Sequence, residues 1–387
     1  MNIKTHLQLE PSVTMEINAS VLKKRTQGQH VYNLCAGEPM IDTPDVVKRA
    51  VMTALENNHT HYPPMAGLLE LRHAASEWMN NDYGADFEVS NCAVTPGGKF
   101  GLFLLLKSLL KSGDEILTPA PYWVSYPSIA KLFGSVPVII DTDENDDWKL
   151  DVKELEGSIT KKTKILLLNN ASNPTGVLYT REELKEILDV AKRHNIIVIS
   201  DEVYSGLVYD GEFVSCGSFE EHRDHTFIVQ SCSKQFAMTG LRVGFVFGSE
   251  EIISTVINLL GQTISGVTTI SQYAALAGFK HRNDIAPLVR SEMKKRRDVF
   301  VNTFNKLFSS KISYPASALY CFIPMSAFGV EGQDSVEFCK DVLNNTNVAM
   351  VPGIAFGKEG YIRCAFGENE EELKEGLEKI KDYLETR

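Results

Sequence analysis

The sequence predicts an α/β protein: a large domain with a mostly parallel seven-stranded sheet covered by helices, plus a smaller α+β domain formed by both termini. Three observations predict it. Between residues 92 and 247 seven short apolar runs alternate with amphipathic helical stretches, the pattern of a sheet buried on both faces. After Gly248 that alternation stops and long helical segments take over. Ahead of Thr43 the chain fits no strand–helix unit, so it is expected to join the C-terminal region. A chain of 387 residues, 43% of them hydrophobic, is long enough for two domains. The expected division is an N-terminal segment 1–44 joining the small domain, a large domain 45–282 and a small domain 283–387.

Residues 1–30 are polar, with a helical stretch from about Met15 to Arg25. Val31 to Leu34 reads as a short strand running into Ala36-Gly37-Glu38-Pro39. Thr43-Pro44 is a helix start, threonine as N-cap and proline at the first helical position, and this helix runs to about Glu56. A proline-stiffened loop, His61 to Gly67, precedes a helix from about Leu68 to Asn80. The seven strands are Cys92–Thr95, Glu115–Thr118, Val136–Ile140, Lys164–Leu168, Ile196–Ser200, Thr226–Val229 and Val243–Phe247. Helices are expected from about Phe100 to Leu110, from Pro121-Tyr122-Trp123 onward, and over Arg181–His194. Helical segments then fill roughly 249–309. Strands Leu319–Ile323, Val348–Val351 and Tyr361–Cys364 follow, interleaved with helices at about 334–344 and 369–385.

A net charge of −11 argues against a nucleic-acid surface but leaves room for a small anion in a local basic pocket. Seven cysteines, an odd number without Cys-x-x-Cys spacing, read as reduced thiols of a cytoplasmic protein, with neither a disulfide framework nor a zinc or other metal site. No apolar run approaches the length of a membrane span, and the first residues carry no signal-peptide core.

Ligands of an open parallel sheet bind beyond the carboxyl ends of its strands. Ser231-Cys-Ser-Lys234 follows one such strand. A lysine this close to the core is partly dehydrated, which disfavours its charged form and suits it to attack a carbonyl. Ser231 and Arg242 flank it with a hydroxyl and a guanidinium, a pair suited to a phosphate. An amine beside a phosphate site is what a phosphorylated aldehyde needs, and pyridoxal phosphate is the commonest one; an ordinary surface lysine at a strand end is the plain alternative. Gly97-Gly98-Lys99 joins a strand to a helix start, where backbone N–H groups can approach an anion. It lacks the spacing of the nucleotide-binding loops, so a simple helix-start turn stays open. Trp123 could stack on a flat ring or fill core. Asn170 to Gly176 is a turn by composition, with Asn173 able to donate to a phenolic oxygen. Asp201 follows another strand, and a carboxylate there needs a cationic partner. A protonated pyridine nitrogen would serve and would turn the ring into an electron sink; a helix cap or structural ion pair would also satisfy it. What weakens the plain alternatives jointly is that all these groups fall at strand ends of one sheet.

Taken together, these residues make the chain resemble the pyridoxal-phosphate-dependent aminotransferases of fold type I, the class I and II group, and within them the bacterial-type aspartate aminotransferases with a Gly-Gly-Lys loop. The likeness runs from Pro11 to about Leu384. It is carried by Ser231-x-Ser-Lys234-x-Phe-Ala-Met-Thr-Gly-x-Arg242, Ala171-Ser-Asn173-Pro-Thr-Gly176, Asp201-Glu-Val-Tyr204 and Pro121-Tyr-Trp-Val-Ser-Tyr126. The resemblance implies that Lys234 joins the cofactor through its amine and then shuttles the substrate proton. It implies that Asp201 pairs with the ring nitrogen, that Tyr204 and Asn173 bond the ring oxygen, and that Trp123 stacks on the ring. The backbone of Gly98 and Lys99, with Ser231 and Arg242, would bind the phosphate, and Tyr62 would reach the phosphate of the other subunit of a homodimer. Arg363 would clamp the substrate α-carboxylate, assisted by Asn173 and the Gly37 backbone; without the family it reads as a surface arginine on a strand.

The same subgroup implies that Lys99 meets the distal carboxylate of a dicarboxylic amino acid, with Ser12 at the pocket mouth. The implied reaction is a ping-pong transamination of aspartate with 2-oxoglutarate. Alternatives keep the cofactor and change the substrate to an aromatic amino acid, kynurenine, prephenate or alanine, or change the chemistry to a C–S β-lyase. A ligand-sensing domain of a transcription regulator would carry an added DNA-binding domain, for which the short stretch ahead of the catalytic-fold likeness and the acidic charge give no support. Three departures from the family pattern stand out: Thr263-Ile-Ser-Gly-Val267 has no proline, Leu241 replaces a tryptophan, and Met40 stands where an acidic residue is common.

Overall fold

The structure is a computed structural model and describes residues 13–386. Its strands, in chain order, are β1 (Tyr32–Asn33), β2 (Cys92–Thr95), β3 (Glu115–Ala120), β4 (Val136–Asp141), β5 (Thr163–Asn169), β6 (Ile197–Asp201), β7 (Thr226–Ser231), β8 (Gly244–Phe247), β9 (Tyr320–Pro324), β10 (Val348–Ala349), β11 (Val351–Pro352) and β12 (Tyr361–Ala365). Seven of them form one sheet in the order β2-β8-β7-β6-β5-β3-β4. Strands β7, β6, β5, β3 and β4 run parallel, and β8 is antiparallel to both of its neighbours.

The apolar runs are continuous because the central strands bury both faces, while the edge strand β4 leaves Val136 and Ile139 exposed. Successive side chains point to opposite sides of a sheet, and here both sides are covered. Leu166, Leu168, Val198 and Ile228 enter one hydrophobic cluster. Their chain neighbours Ile165, Leu167, Ile199, Phe227 and Val229 enter the other, with Leu102, Leu105 and Leu106 of the helix Gly98–Leu109. Alternation of polar and apolar residues, the mark of a half-exposed sheet, is therefore absent.

The second unit is a three-stranded antiparallel sheet, β11-β12-β9, with the helices Arg282–Leu307, Ser335–Thr346 and Glu370–Thr386. Strand β1 pairs in parallel with β10, Tyr32 opposite Val348, so the N-terminal segment is tied to the C-terminal one.

Several local expectations differ from the structure. The helix after Thr43 begins at Asp45, with Pro44 extended at the cap position. Thr43 is not its cap, because its hydroxyl donates to the Ala237 carbonyl at 2.9 Å instead. The helix expected to open at Pro121 starts at Ser125. Tyr122 is held out of it by its own N–H, which donates to the Phe356 carbonyl at 3.0 Å. The stretch after Gly248 is three helices, Glu250–Thr263, Thr269–Lys280 and Arg282–Leu307; Ser265 and Gly266, both at positive φ, break the first from the second. Val348–Val351 is two strands, because the chain leaves β1 at Ala349 and joins β12 at Val351. The helix Val152–Ser158 was not legible as one, yet it starts on an N-cap, Asp151, which accepts from Lys153 and Glu154 N–H.

Among the described residues no helix is long and apolar enough to cross a membrane, and no group of His, Cys, Asp or Glu could hold a metal ion. All seven cysteines are free and buried.

Candidate active site

The carboxyl ends of β5, β6 and β7 fall side by side, with Asn169 in register with Asp201. Beyond them lies a cavity of about 270 Å³ lined by residues of both units. Asp201, the last residue of β6, is its acidic group. Tyr126 Oη donates to Asp201 Oδ2 at 2.8 Å, and the Val203 N–H donates to Oδ1 at 3.4 Å. Burial pushes the carboxyl up to about 6, against the pull of those two bonds and of the Lys234 charge. Lys234 faces the same space on the short helix Cys232–Gln235. Burial lowers its amine to about 8, opposed chiefly by the Glu38 carboxylate. Its Nζ donates to the Gly37 carbonyl, and the Thr239 hydroxyl holds Glu38 nearby.

At one end the walls suit an anion. The helix Gly98–Leu109 begins there, and the first N–H groups of a helix have no intrahelical acceptor. Gly97 precedes it at φ 81°, and a Cβ at that position would sit 2.4 Å from Arg242 Nη2, so only glycine lets the guanidinium approach. Arg242 is steadied by an Nη1 bond to the Thr239 carbonyl at 2.7 Å. Ser231 caps the Lys234 helix by accepting the Ser233 N–H at 3.1 Å.

At the other end stands Arg363 of β12, only 4% exposed. Its Nη2 donates to the Cys35 carbonyl at 2.8 Å and Nη1 to Asn173 Oδ1 at 3.3 Å. The guanidinium lies over the rings of Tyr320 and Phe356, 4.3 and 4.8 Å from their centroids. Its Nε is buried without a partner among the described residues, and an unmet buried donor is costly, so this N–H suits a ligand acceptor. Lys99 stays exposed at the open side, its ammonium 4.7 Å from the Trp123 ring centroid. Partial desolvation and then the Arg242 charge lower its amine, an effect that solvent on the exposed side moderates.

Gly37, Gly98, Lys99, Trp123, Asn173, Asp201, Tyr204, Ser231, Lys234, Arg242 and Arg363, singled out in the sequence, all line this one cavity. Tyr62 does not: it is 86% exposed and away from the cavity of its own chain. Ser12 lies outside the described residues. Sequence reasoning missed Tyr126, Tyr320 and Asn18. Tyr126 had a signal, since it stands three residues after Trp123 in Pro121-Tyr-Trp-Val-Ser-Tyr126, inside a helix facing the sheet. Asn18 and Tyr320 had none, because they reach the cavity from other parts of the chain.

Fold and site together define a two-domain enzyme with a buried amine at the end of a parallel sheet. The model of aminotransferase class I and II matches residues 29–380. The chain is 38% identical over 381 residues to a probable aspartate/prephenate aminotransferase of Aquifex aeolicus, covering 97% of each. It is 34% identical over 390 residues to the aspartate aminotransferase of Bacillus subtilis, again covering 97% of each. The structure of the Thermus thermophilus aspartate aminotransferase with maleate superposes with a TM-score of 0.92 at 33% identity, covering 98% of this chain and 100% of that one. The chain belongs to the class I and II aminotransferases, enzymes whose cofactor is pyridoxal 5′-phosphate. The residues present fit that cofactor: a buried amine, a buried carboxylate, and a glycine-opened helix start beside Arg242 surround one cavity.

Proposed function

We propose that the protein transfers the amino group of aspartate to 2-oxoglutarate by a ping-pong cycle. The observation that carries this reading is the placement of two cations, Arg363 and Lys99, in one cavity with the buried Lys234 amine. The names of the Bacillus and Aquifex relatives support aspartate as donor. The Aquifex name also favours prephenate, a 2-oxo acid with a second carboxylate, as an alternative acceptor.

In this reading Lys234 holds the cofactor, Asp201 pairs with its ring nitrogen, and Tyr204 and Asn173 hold its ring oxygen. Trp123 lies against the ring, and the phosphate sits on the Gly98 and Lys99 N–H groups with Ser231 and Arg242. Bound there, pyridoxal phosphate supplies an electron sink for the pair left when the substrate Cα loses its proton. Tyr126 keeps Asp201 oriented and ionised, as a hydrogen bond to the charged form does. Arg363 orients the α-carboxylate by a fork of charge-assisted bonds, its spare Nε included. Lys234 Nζ, whose pKa burial lowers to about 8 and whose share of free amine burial therefore raises, takes the proton from Cα and hands it on. Lys99 meets the distal carboxylate.

The reading extends to a cytoplasmic homodimer in which Tyr62 reaches the partner's phosphate site; its 86% exposure and the seven free thiols support this. It divides the chain at about residues 44 and 282. Steady-state rates with a panel of amino donors test the substrate. Lys99→Ala is expected to raise KM for aspartate by about tenfold, the worth of one charge-assisted bond, and to spare an aromatic donor. Equal losses for both donors would remove Lys99 from the distal-carboxylate role. Pyruvate and ammonia released without any oxo-acid acceptor would replace transamination with β-elimination.

A further inference from the structure

Tyr204 and Tyr320 meet hydroxyl to hydroxyl at 2.6 Å, in a fully buried position. They come from different units: Tyr204 follows β6, and Tyr320 opens β9 of the three-stranded sheet. Tyr320 is held on three sides. Its ring carries the Arg363 guanidinium at 4.3 Å. The β9–β12 register sets it opposite Ala365, two residues along from Arg363, so both side chains share one face. Its hydroxyl lies so close to Gly37 that a Cβ there would stand 2.3 Å away.

A phenol has one proton to give and lone pairs to accept with. If Tyr204 spends its proton on the ring oxygen of the bound cofactor, its own oxygen is left to accept, and Tyr320 is the hydroxyl within reach. We propose that Tyr320 is a positioning residue that donates to Tyr204 and so sets how strongly Tyr204 holds the cofactor's ring oxygen. The inference rests on the site reading above. A hydroxyl that accepts a bond becomes a stronger donor, because bonds in a chain polarise one another. A ring oxygen held more strongly lends less of its charge to the neighbouring nitrogen, so the chromophore made with Lys234 releases its proton at a lower pH. Tyr320 thereby links the small sheet, where Arg363 waits for a carboxylate, to the electronics of the large one.

The test is a spectrophotometric pH titration of the cofactor-loaded enzyme. Tyr320→Phe removes only the hydroxyl and is expected to raise the midpoint by about 0.5–1 pH unit, the size of one hydrogen bond. Tyr204→Phe raises it further, and the double variant no further than Tyr204→Phe alone, since Tyr320 acts through Tyr204. Gly37→Ala, whose methyl group would displace the Tyr320 hydroxyl, shifts the midpoint in the same direction and serves if Tyr320→Phe does not fold. An unmoved midpoint, or an equal Tyr320→Phe shift in the Tyr204→Phe background, overturns the inference and leaves the proposed function standing. A wild-type enzyme without any titrating chromophore overturns both.

Discussion

The two ends of the cavity are built differently. The end holding Lys234, Asp201, Ser231 and the Gly97-Gly98 turn rests on one seven-stranded sheet, and each group sits within a few residues of a strand end. The end holding Arg363 is assembled across the seam between units. Its arginine comes from β12, its acceptors from Cys35 and Asn173, and its ring platforms from Tyr320 and Phe356. The first end is a property of a single core buried on both faces. The second exists only while two units and the N-terminal segment stay together. In the proposed reading the first end carries the cofactor chemistry, with Lys99 beside its glycine turn selecting the side chain, and the second end holds the α-carboxylate.

That contrast can be broken experimentally. The largest expected effect lies at the first end. In the proposed reading Lys234→Ala removes both the covalent anchor and the proton carrier, so turnover is expected to fall by at least about 10⁴-fold. Borohydride reduction of the loaded wild-type enzyme should leave the pyridoxyl label on Lys234, and a label elsewhere would refute the assignment. At the second end, Arg363→Lys keeps the charge but loses the planar fork. KM for the amino donor is expected to rise about 10- to 100-fold, while the midpoint of the chromophore moves less than in Tyr320→Phe, because the Tyr320 hydroxyl is kept. A larger shift would mean that Arg363 itself, and not only Tyr320, couples the two ends.

A smaller effect concerns pH. With the Lys234 amine lowered to about 8 by burial, the cofactor-free protein carries mostly ammonium below that pH and mostly free amine above it. Only the free amine attacks an aldehyde. The rate of cofactor loading should therefore rise about tenfold per pH unit below the midpoint and level off above it. Absorbance stopped-flow across that range measures it, and a flat profile would show that burial does not control the amine.

The difference between the ends also explains what was legible. Lys234, Asp201 and the Gly97-Gly98 turn could be read because an apolar strand, its terminus and a polar group lie in one short window. The seven strands were legible for the same reason, although Tyr122 and Thr43 shifted two helix starts by bonding to residues more than 190 positions away. Arg363 without its family likeness read as a surface residue, because the five-residue strand that carries it says nothing of the loop against which it lies. Tyr126 stood in a legible motif, but its role did not show there, since Asp201, to which it donates, is 75 residues on.

By itself the sequence determined the layered α/β class, the strand-end placement of an amine, a carboxylate and an anion cradle, and through them the cofactor. Those features follow from local periodicity and from where a buried strand must end. The tertiary structure alone decided which guanidinium N–H has no partner among the described residues, which tyrosine bonds Asp201, and that Tyr204 and Tyr320 touch. These are contacts between segments distant in the chain, and no local pattern encodes a hydrogen bond whose two partners are brought together only by packing two sheets around one cavity.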